Sequence, residues 1–309
     1  MAVMIGRYPR PGFMDPSLLT TDPLAVRLVL ELRLPRVLSA ALLGGTLAAA
    51  GLVLQMIFAN PLVEPGLIGV SQGAAFGAAL AIVFFGNRPL LLQASAALFA
   101  VTGLFLAYRI ARRLRFGGWI LRLVLSGIAV SALFSSAVGI LKYLADPLDQ
   151  LPEITFWMLG GLWNSSWQSL GRVAPAALIG IAIVYLRRYR LNVLSLQDRV
   201  SFSLGARPDR ERLLLLTAAT VATAAVISQA GIIGWVGLIV PHSARRLFRA
   251  DALVAMPGSI LLGAIFVVVA DTLARTLVAG EIPLGVITSL VGATAFIALL
   301  MTHNIRMER

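Results

Sequence analysis

Long apolar runs, separated by short polar and basic segments, set the pattern of the whole chain. A helix needs roughly 20 mainly apolar residues to cross a bilayer, and most of these runs reach or approach that length. The pattern therefore predicts an all-α, polytopic transmembrane protein with about nine spans in one domain, residues 1–309. The predicted spans are residues 37–58, 69–85, 89–108, 120–144, 173–189, 213–230, 232–241, 258–278 and 285–302. Residues 1–32 are mixed in character and proline-containing, which indicates an external surface segment.

Composition supports this class of protein. The chain is 59% hydrophobic and 13% charged, with a mean hydropathy of +0.88, which is far too apolar for a soluble domain of 309 residues. Its 28 glycines suit membrane helices, since small residues let backbones approach closely in lipid. Cysteine is absent, so disulfides and thiol chemistry are excluded.

The basic residues lie between the apolar runs, so the net charge of +12 indicates membrane topology and not nucleic-acid binding. If residues 1–36 are outside, most of the 26 basic residues fall in inner loops and at the C-terminus. These inner residues are Arg109, Arg112, Arg113, Arg115, Arg187, Arg188, Arg190, Arg199, Arg207, Arg210, Arg212, Arg245, Arg246, Arg249, Arg306 and Arg309. Their excess predicts that those loops and the C-terminus are cytoplasmic. Five residues break the rule by lying outside: Arg7, Arg10, Arg27, Arg33 and Arg36.

Residues 191–212, LNVLSLQDRVSFSLGARPDRER, form the most informative polar segment. Ser195 and Asp198 fit a capping box, in which side-chain oxygens satisfy the first free N–H groups of a helix. The apolar positions that follow repeat every four residues, at Leu196, Val200 and Leu204. Gly205 suits a left-handed stop, and Pro208 prevents the helix from continuing. The segment is therefore predicted to form a short amphipathic helix that either lies at the lipid interface or docks a soluble partner.

No catalytic or cofactor-binding constellation is visible. His242 and His303 are the only histidines, and no cluster of histidines or carboxylates has metal-ligand spacing. Lys142 is the only lysine and lies in an apolar run, so the chain has no phosphate-binding loop of the GxxxxGK[ST] type. If ATP drives this protein, a second polypeptide must bind the ATP and Mg²⁺. We expect no enzyme activity, no metal site and no cofactor in this chain.

Few charged groups fall within the predicted spans. Asp271 and Arg275 are four residues apart, which predicts a self-neutralising pair, whereas a proton relay would show more buried carboxylates. Ser126, Ser131 and Ser135 occupy roughly one face of their helix. Their hydroxyls either bond back to their own helix or form an uncharged polar wall of a transport pathway.

The segment 146–172 holds Trp157, Trp163 and Trp167 beside a pair of glycines. Tryptophans are common where a membrane meets water, which is one interpretation. The other is a short helix that lines the outer mouth of a pathway.

Six long motifs, in this order, carry a family resemblance. They are RLPRVLSAALLGGTLAAAGLVLQ (33–55), NPLVEPGLIGVSQGAAFG (60–77), LNVLSLQDRVSFSLG (191–205), GWVGLIVPHSARRL (234–247), ADTLAR (270–275) and EIPLGVITSLVG (281–292). From about residue 24 to the C-terminus, the chain resembles the FecCD/BtuC-type permeases. These are the membrane subunits of ATP-binding-cassette (ABC) importers for vitamin B12, iron-siderophores, haem and related metal chelates.

The resemblance implies a BtuC-like permease fold in a bacterial or archaeal cytoplasmic (inner) membrane. It implies a homodimer with a second copy of the chain, two ABC ATPase subunits, a substrate-binding protein and a metal-chelate substrate. Residues 191–212 match the cytoplasmic loop that contacts the ATPase. Arg33, Arg36 and Arg275 match outward-facing arginines that pair with glutamates of the binding protein. That pairing would account for part of the departure from the positive-inside rule.

The chain departs from the family pattern in several places. The coupling loop reads Gln197-Asp198-Arg199 where Gly-Asp/Glu-Glu is usual, and Thr294 replaces a frequent proline. The family has ten spans, and the first is missing here. We therefore expect an apolar span encoded upstream of Met1; alternatively, later spans force the topology. Two rival functions stay open: an ion-coupled secondary transporter, and a structural or assembly subunit without a pathway.

Overall fold

The computed structural model describes residues 2–86, 88–278 and 280–302, so His303, Arg306 and Arg309 lie outside the described residues. Apart from a hairpin of β1 (Ile5–Gly6) and β2 (Gly12–Phe13), the regular structure is helical. The α-helices are α1 (Leu18–Thr21), α2 (Pro23–Arg27), α3 (Leu34–Ile57), α4 (Val70–Phe85), α5 (Pro89–Arg113), α6 (Trp119–Leu144), α7 (Gln150–Leu159), α8 (Trp167–Leu186), α9 (Arg188–Leu194), α10 (Asp198–Ser203), α11 (Pro208–Ala230), α12 (Val236–Phe248), α13 (Ala252–Thr276) and α14 (Leu284–Thr302). The predicted fold class, an all-α polytopic membrane protein, is confirmed.

Six helical segments of the described residues are long and apolar enough to cross a membrane. They are Pro23–Ile57, α5, α6, α8, α11 and α13, and two shorter apolar helices are Val70–Phe85 and Leu284–Leu299. The first segment begins earlier than its predicted start at residue 37, because a π-helical stretch, Leu28–Arg33, joins α2 to α3. Residues 23–32, predicted to be surface segment, thus belong to a helix.

The predicted short span at 232–241 is shifted. Residues 231–234 are not helical, and α12 starts only at Val236. The cause lies in the backbone, since Gly231 and Trp235 have φ angles of +70° and +71°, in the left-handed region that interrupts a right-handed helix. The resulting α12 has 13 residues, fewer than a bilayer crossing requires.

Helices α3 and α11 form the centre of the bundle. About 78% of the most apolar window of Pro23–Ile57 and 72% of that of α11 are buried within the chain, against 28% for α6 and α8. Helix α3 packs against α13, α11, α12 and α8, and its buried face includes Ala40, Leu47 and Leu54. The outer helices α5, α6 and α8 leave broad apolar surfaces, as expected for helices that face lipid or another copy.

Glycine pairs bring the helix backbones together. Gly44 of α3 faces Gly263 of α13, and a Cβ atom at Gly44 would lie 2.6 Å from the carbonyl carbon of Gly263. Gly51 of α3 makes a similar approach to Gly237 of α12. Because backbone atoms cannot move aside as a flexible side chain can, any larger residue at these positions must push two helices apart.

A matched pair of substitutions tests this packing. We expect Gly44→Ala to destabilise the fold by about 1–3 kcal/mol through overpacking. Gly171→Ala, in the exposed face of α8 where nothing lies within 4 Å, should instead stabilise it by about 0.5–1 kcal/mol. Unfolding of both purified variants in the same detergent measures the difference. Equal effects would contradict the close approach of α3 and α13.

Candidate functional site

The predicted coupling segment forms two short helices with a turn between them. Ser195 ends α9, and its hydroxyl donates to the carbonyl oxygen of Asn192 at 2.7 Å. The predicted capping box is therefore wrong: the residue before α10 is Gln197, and it makes no side-chain cap. The Asp198 carboxylate, which a capping box would use as an acceptor for a backbone N–H, instead accepts from the Arg212 guanidinium at 2.6 Å.

The predicted stop at Gly205 is confirmed. Gly205 has φ of +79°, its N–H donates to the Phe202 carbonyl, and the N–H of Ala206 donates to the Ser201 carbonyl, each at 3.0 Å. This pair of bonds is the Schellman motif, which satisfies the last free carbonyls of α10. The six-residue helix is thereby closed at its C-terminal end by local backbone geometry.

Buried polar contacts fix α10 on the rest of the chain. Ser201 is fully buried, and its hydroxyl donates to the Val193 carbonyl of α9 at 2.7 Å. Arg212, also buried, holds Asp198 and lies over the ring of Trp119, 5.4 Å from the ring centroid. A helix this short has little stability alone, so these contacts with α9 and α11 give α10 a defined position.

The outer side of this segment is apolar and uncovered in the single chain. Leu196 in the turn before α10 and Val200 within it are each 44% exposed, and Leu204 at the C-terminal cap is 58% exposed. These three residues are the stripe of α10, and their exposure is expected if the stripe contacts something else. Phe202 is 71% exposed, and the sequence prediction missed it because it lies off the four-residue repeat. Its residue type could have identified it, since a large aromatic side chain within a polar segment indicates a contact with another surface.

At the opposite end of the molecule, Arg36 joins three segments. Its guanidinium donates to the Asp271 carboxylate at 2.9–3.2 Å and to Glu281 at 2.8 Å. The predicted Asp271–Arg275 pair is present but longer, at 3.7 Å. Asp271 is thus neutralised chiefly by a residue of α3, and only secondarily by its own helix.

Arg275 and Arg33 hold the N-terminal segment. Arg275 donates to the carbonyl oxygens of Ala2 and Ile5, each at 2.6 Å, and Arg33 to that of Val3 at 3.4 Å. The side chains of Arg36 and Arg275 are 14% and 9% exposed. Both guanidiniums are therefore largely occupied by partners within the chain, which leaves little of either side chain exposed. Their docking role stays a prediction.

The three pathway serines of α6 do not share one environment. Ser126 is buried in the chain, Ser131 is half-buried and Ser135 is exposed. Ser126 therefore does not lie on the same face as Ser135, since nine residues advance a helix by about two and a half turns and bring the two side chains to opposite faces. Neither Ser126 nor Ser131 shows the predicted bond back to its own helix. Of these three serines only Ser135 is exposed, and the pathway role of all three stays a prediction.

The predicted short helix after the fourth long run is α7, and it borders a cavity of about 670 Å³. Trp157 and Trp163 line the cavity, together with residues from the first turns of α5 and α8 and the last turn of α11. Trp167 lies elsewhere, exposed, with its indole N–H donating to the Leu30 carbonyl at 2.9 Å. Trp157 and Trp163 thus share one cavity, whereas Trp167 does not, and both interpretations stay predictions.

A polar cluster forms one wall of this cavity. The Gln229 amide donates to the hydroxyl oxygens of Ser169, Ser39 and Ser165 at 3.1–3.4 Å. Across the cavity, Arg172 donates to the Gln93 side chain at 3.3 Å. Aromatic rings beside oriented amides suit a polar organic ligand.

Comparisons with known proteins decide the family. A model of the FecCD transport family matches residues 1–302. The chain belongs to the FecCD transport family. The prediction made from the six motifs is confirmed.

The relatives that this chain resembles are named for different cargoes. The chain is 38% identical over 273 residues to a "Probable iron chelatin transport system permease protein" of Helicobacter pylori, covering 88% of this chain and 82% of the relative. It is 40% identical over 285 residues to the "Hemin transport system permease protein HmuU" of Yersinia pestis, covering 89% and 83%. It is 38% identical over 299 residues to the "Molybdate import system permease protein MolB" of Haemophilus influenzae, covering 94% and 88%.

A solved structure confirms the fold. The chain is similar to "An inward-facing conformation of a putative metal-chelate type ABC transporter", with a TM-score of 0.91 and 36% identity. The match covers 98% of this chain and 94% of the other.

Proposed function

We propose that this chain is the membrane permease subunit of an ABC importer that moves an iron-siderophore or related metal chelate into the cytoplasm. Two copies form the pathway, a substrate-binding protein delivers the cargo, and two ATPase subunits supply the energy. Membership of the FecCD family and its similarity to iron chelatin and hemin permeases support this proposal. The observation that carries it is the exposed apolar stripe of α10, held rigidly by Ser201 and Arg212.

The cavity that α7 borders favours an organic chelate over a bare oxyanion. Its volume of about 670 Å³ falls within the range of small-molecule sites, roughly 300–1,000 Å³. Trp157, Trp163 and Phe156 supply flat apolar surface, and Gln93 and Gln229 supply hydrogen-bonding groups. A tetrahedral oxyanion is much smaller than this cavity, and it would gain little from contact with apolar aromatic rings.

Reconstitution tests the proposal directly. The chain, its ATPase and its binding protein are placed in liposomes, and ATP-dependent accumulation of ferric-siderophore, haem, cobalamin and molybdate is compared. We expect an organic chelate to accumulate. Its accumulation should require ATP and the binding protein and should not change when a proton gradient is imposed. Uptake driven by the gradient without ATP would favour the rival secondary transporter instead.

Glu64 is a second carboxyl, besides Asp271, that could carry a proton in that rival. It lies in the turn between α3 and α4, half-buried, and burial raises its pKa above the usual value, while the N–H of Trp235 partly offsets the shift. A carboxyl whose pKa is raised by folding costs stability as the pH rises through its unfolded value of about 4.3. In an ATP-driven permease such a carboxyl has no transport role and only lowers the stability of the fold. In a secondary transporter the same carboxyl would bind and release the transported proton.

Glu64→Gln separates these roles. The amide keeps the hydrogen-bond acceptor and removes the charge, so we expect a higher thermal midpoint than wild type at pH 7–8 and no difference below about pH 4. ATP-driven transport should persist. A variant that folds but loses gradient-driven uptake would contradict the ABC proposal.

A further inference from the structure

A second cavity lies at the end of the bundle that is predicted to be cytoplasmic, where α3 meets α12. Pro241 sits inside α12 and has no N–H, so the Gly237 carbonyl one turn earlier loses its helical donor. The Gln55 side chain replaces it, donating from Nε2 to the carbonyls of Gly237 at 3.3 Å and Leu238 at 2.9 Å. Gln55 is only 1% exposed, so its amide is held in one orientation.

The other end of the same amide holds Arg245. Arg245 Nη2 donates to Gln55 Oε1 at 2.6 Å, one helical turn beyond Pro241. A neutral amide orients the guanidinium without cancelling its charge, which a carboxylate would do. Burial lowers the pKa of Arg245, and no acidic neighbour offsets that effect. The chain has thus built a fixed, uncompensated positive charge.

This charge faces a cavity of about 510 Å³. Arg245, Arg246 and His242 line it on the α12 side, and Asn60 and Ser195 line it on the others. Among the described residues that line the cavity, none is acidic. A guanidinium that only closed the C-terminal end of α3 would donate to backbone carbonyls there, whereas Arg245 donates to a side chain placed for it.

We propose that this cavity binds an oxyanion group, with Arg245 and Arg246 as its charged donors and Gln55 as the residue that positions Arg245. Guanidiniums bind phosphate- and sulfate-like groups through paired, charge-assisted hydrogen bonds. Ser195 belongs to the segment that carries α10, so an anion in this site contacts both the core of the bundle and the coupling segment. The occupant is either a free oxyanion or the phosphate of a lipid headgroup.

Binding of radiolabelled sulfate to this chain in phosphatidylcholine nanodiscs tests this site at low ionic strength. Wild type should bind sulfate, and Arg245→Gln should weaken binding by about tenfold or more. Gln55→Glu should weaken it similarly while Arg245 remains, because the new carboxylate neutralises the guanidinium. Arg113→Gln, which removes an exposed charge at the end of α5, should leave binding unchanged.

Two further measurements keep the outcome clear. Arg246→Gln changes an exposed side chain, so its loss of sulfate binding is readable even if a buried-site variant folds poorly. In discs that contain phosphatidylglycerol, competition with sulfate and retention of the lipid in native mass spectrometry would assign the oxyanion to a headgroup; no competition would assign it to solution. The proposal is overturned if wild type binds neither probe, or if Arg113→Gln loses binding as strongly as Arg245→Gln.

Discussion

Replacing Arg36 with methionine should lower the free energy of unfolding by about 3 kcal/mol or more, because a buried carboxylate loses its main partner. Asp271 is 1% exposed and accepts three hydrogen bonds of 2.9–3.2 Å from Arg36. Arg275 remains at 3.7 Å, but most of its hydrogen bonds go to the N-terminal segment. Unfolding of the purified variant in detergent, followed by temperature or denaturant, measures the loss.

A double variant separates pairing from packing. Arg36→Met with Asp271→Leu removes both charges, and we expect it to recover most of the lost stability, since replacing a whole buried pair by apolar groups is often neutral. Arg27→Met is the matched control: its ion pair with Glu31 is largely exposed and should contribute less than about 1 kcal/mol. If Arg36→Met unfolds like wild type while binding-protein association slows, Arg36 serves docking, as its sequence motif suggests.

Hydrophobic runs were enough to predict the helices but not their exact ends. The first predicted span starts only at residue 37 because the charged residues Arg27, Glu31, Arg33 and Arg36 precede it. The helix nevertheless starts at Pro23, since Arg36 finds its partner in Asp271, 235 positions away, and Arg27 pairs with Glu31 one turn along. Charge counting along the sequence treats such residues as exposed, and only the tertiary structure shows which are neutralised.

Local backbone chemistry was predictable where no distant residue competes. Gly205 stops α10 as expected, because a left-handed φ depends on the glycine itself. Ser195 does not cap α10, because Arg212 captures Asp198 from 14 positions away. The glycine content predicted close helix packing, but no pattern could predict that Gly44 meets Gly263. The Gln55–Arg245 bond joins two recognised motifs and is likewise visible only in three dimensions.

The exposed stripe of α10 leads to the second large effect. Leu204→Asp should weaken ATPase binding by at least about 30-fold, equivalent to about 2 kcal/mol, because a charge would enter an apolar contact. Leu204 is 58% exposed in the single chain, so the substitution removes few internal contacts and the chain should still fold. Leu204→Met keeps volume and apolar character and serves as the control.

The place of measurement distinguishes docking from lipid contact. In detergent micelles no bilayer is present, so loss of ATPase co-purification by Leu204→Asp, but not by Leu204→Met, assigns the stripe to a protein partner. In liposomes the same variant should retain little ATP-driven uptake, because ATP hydrolysis no longer moves the permease. Val200→Asp, one turn away on the same stripe and 44% exposed, should behave likewise. Normal ATPase binding and transport by both variants, with altered membrane association instead, would show that α10 only rests on the lipid surface.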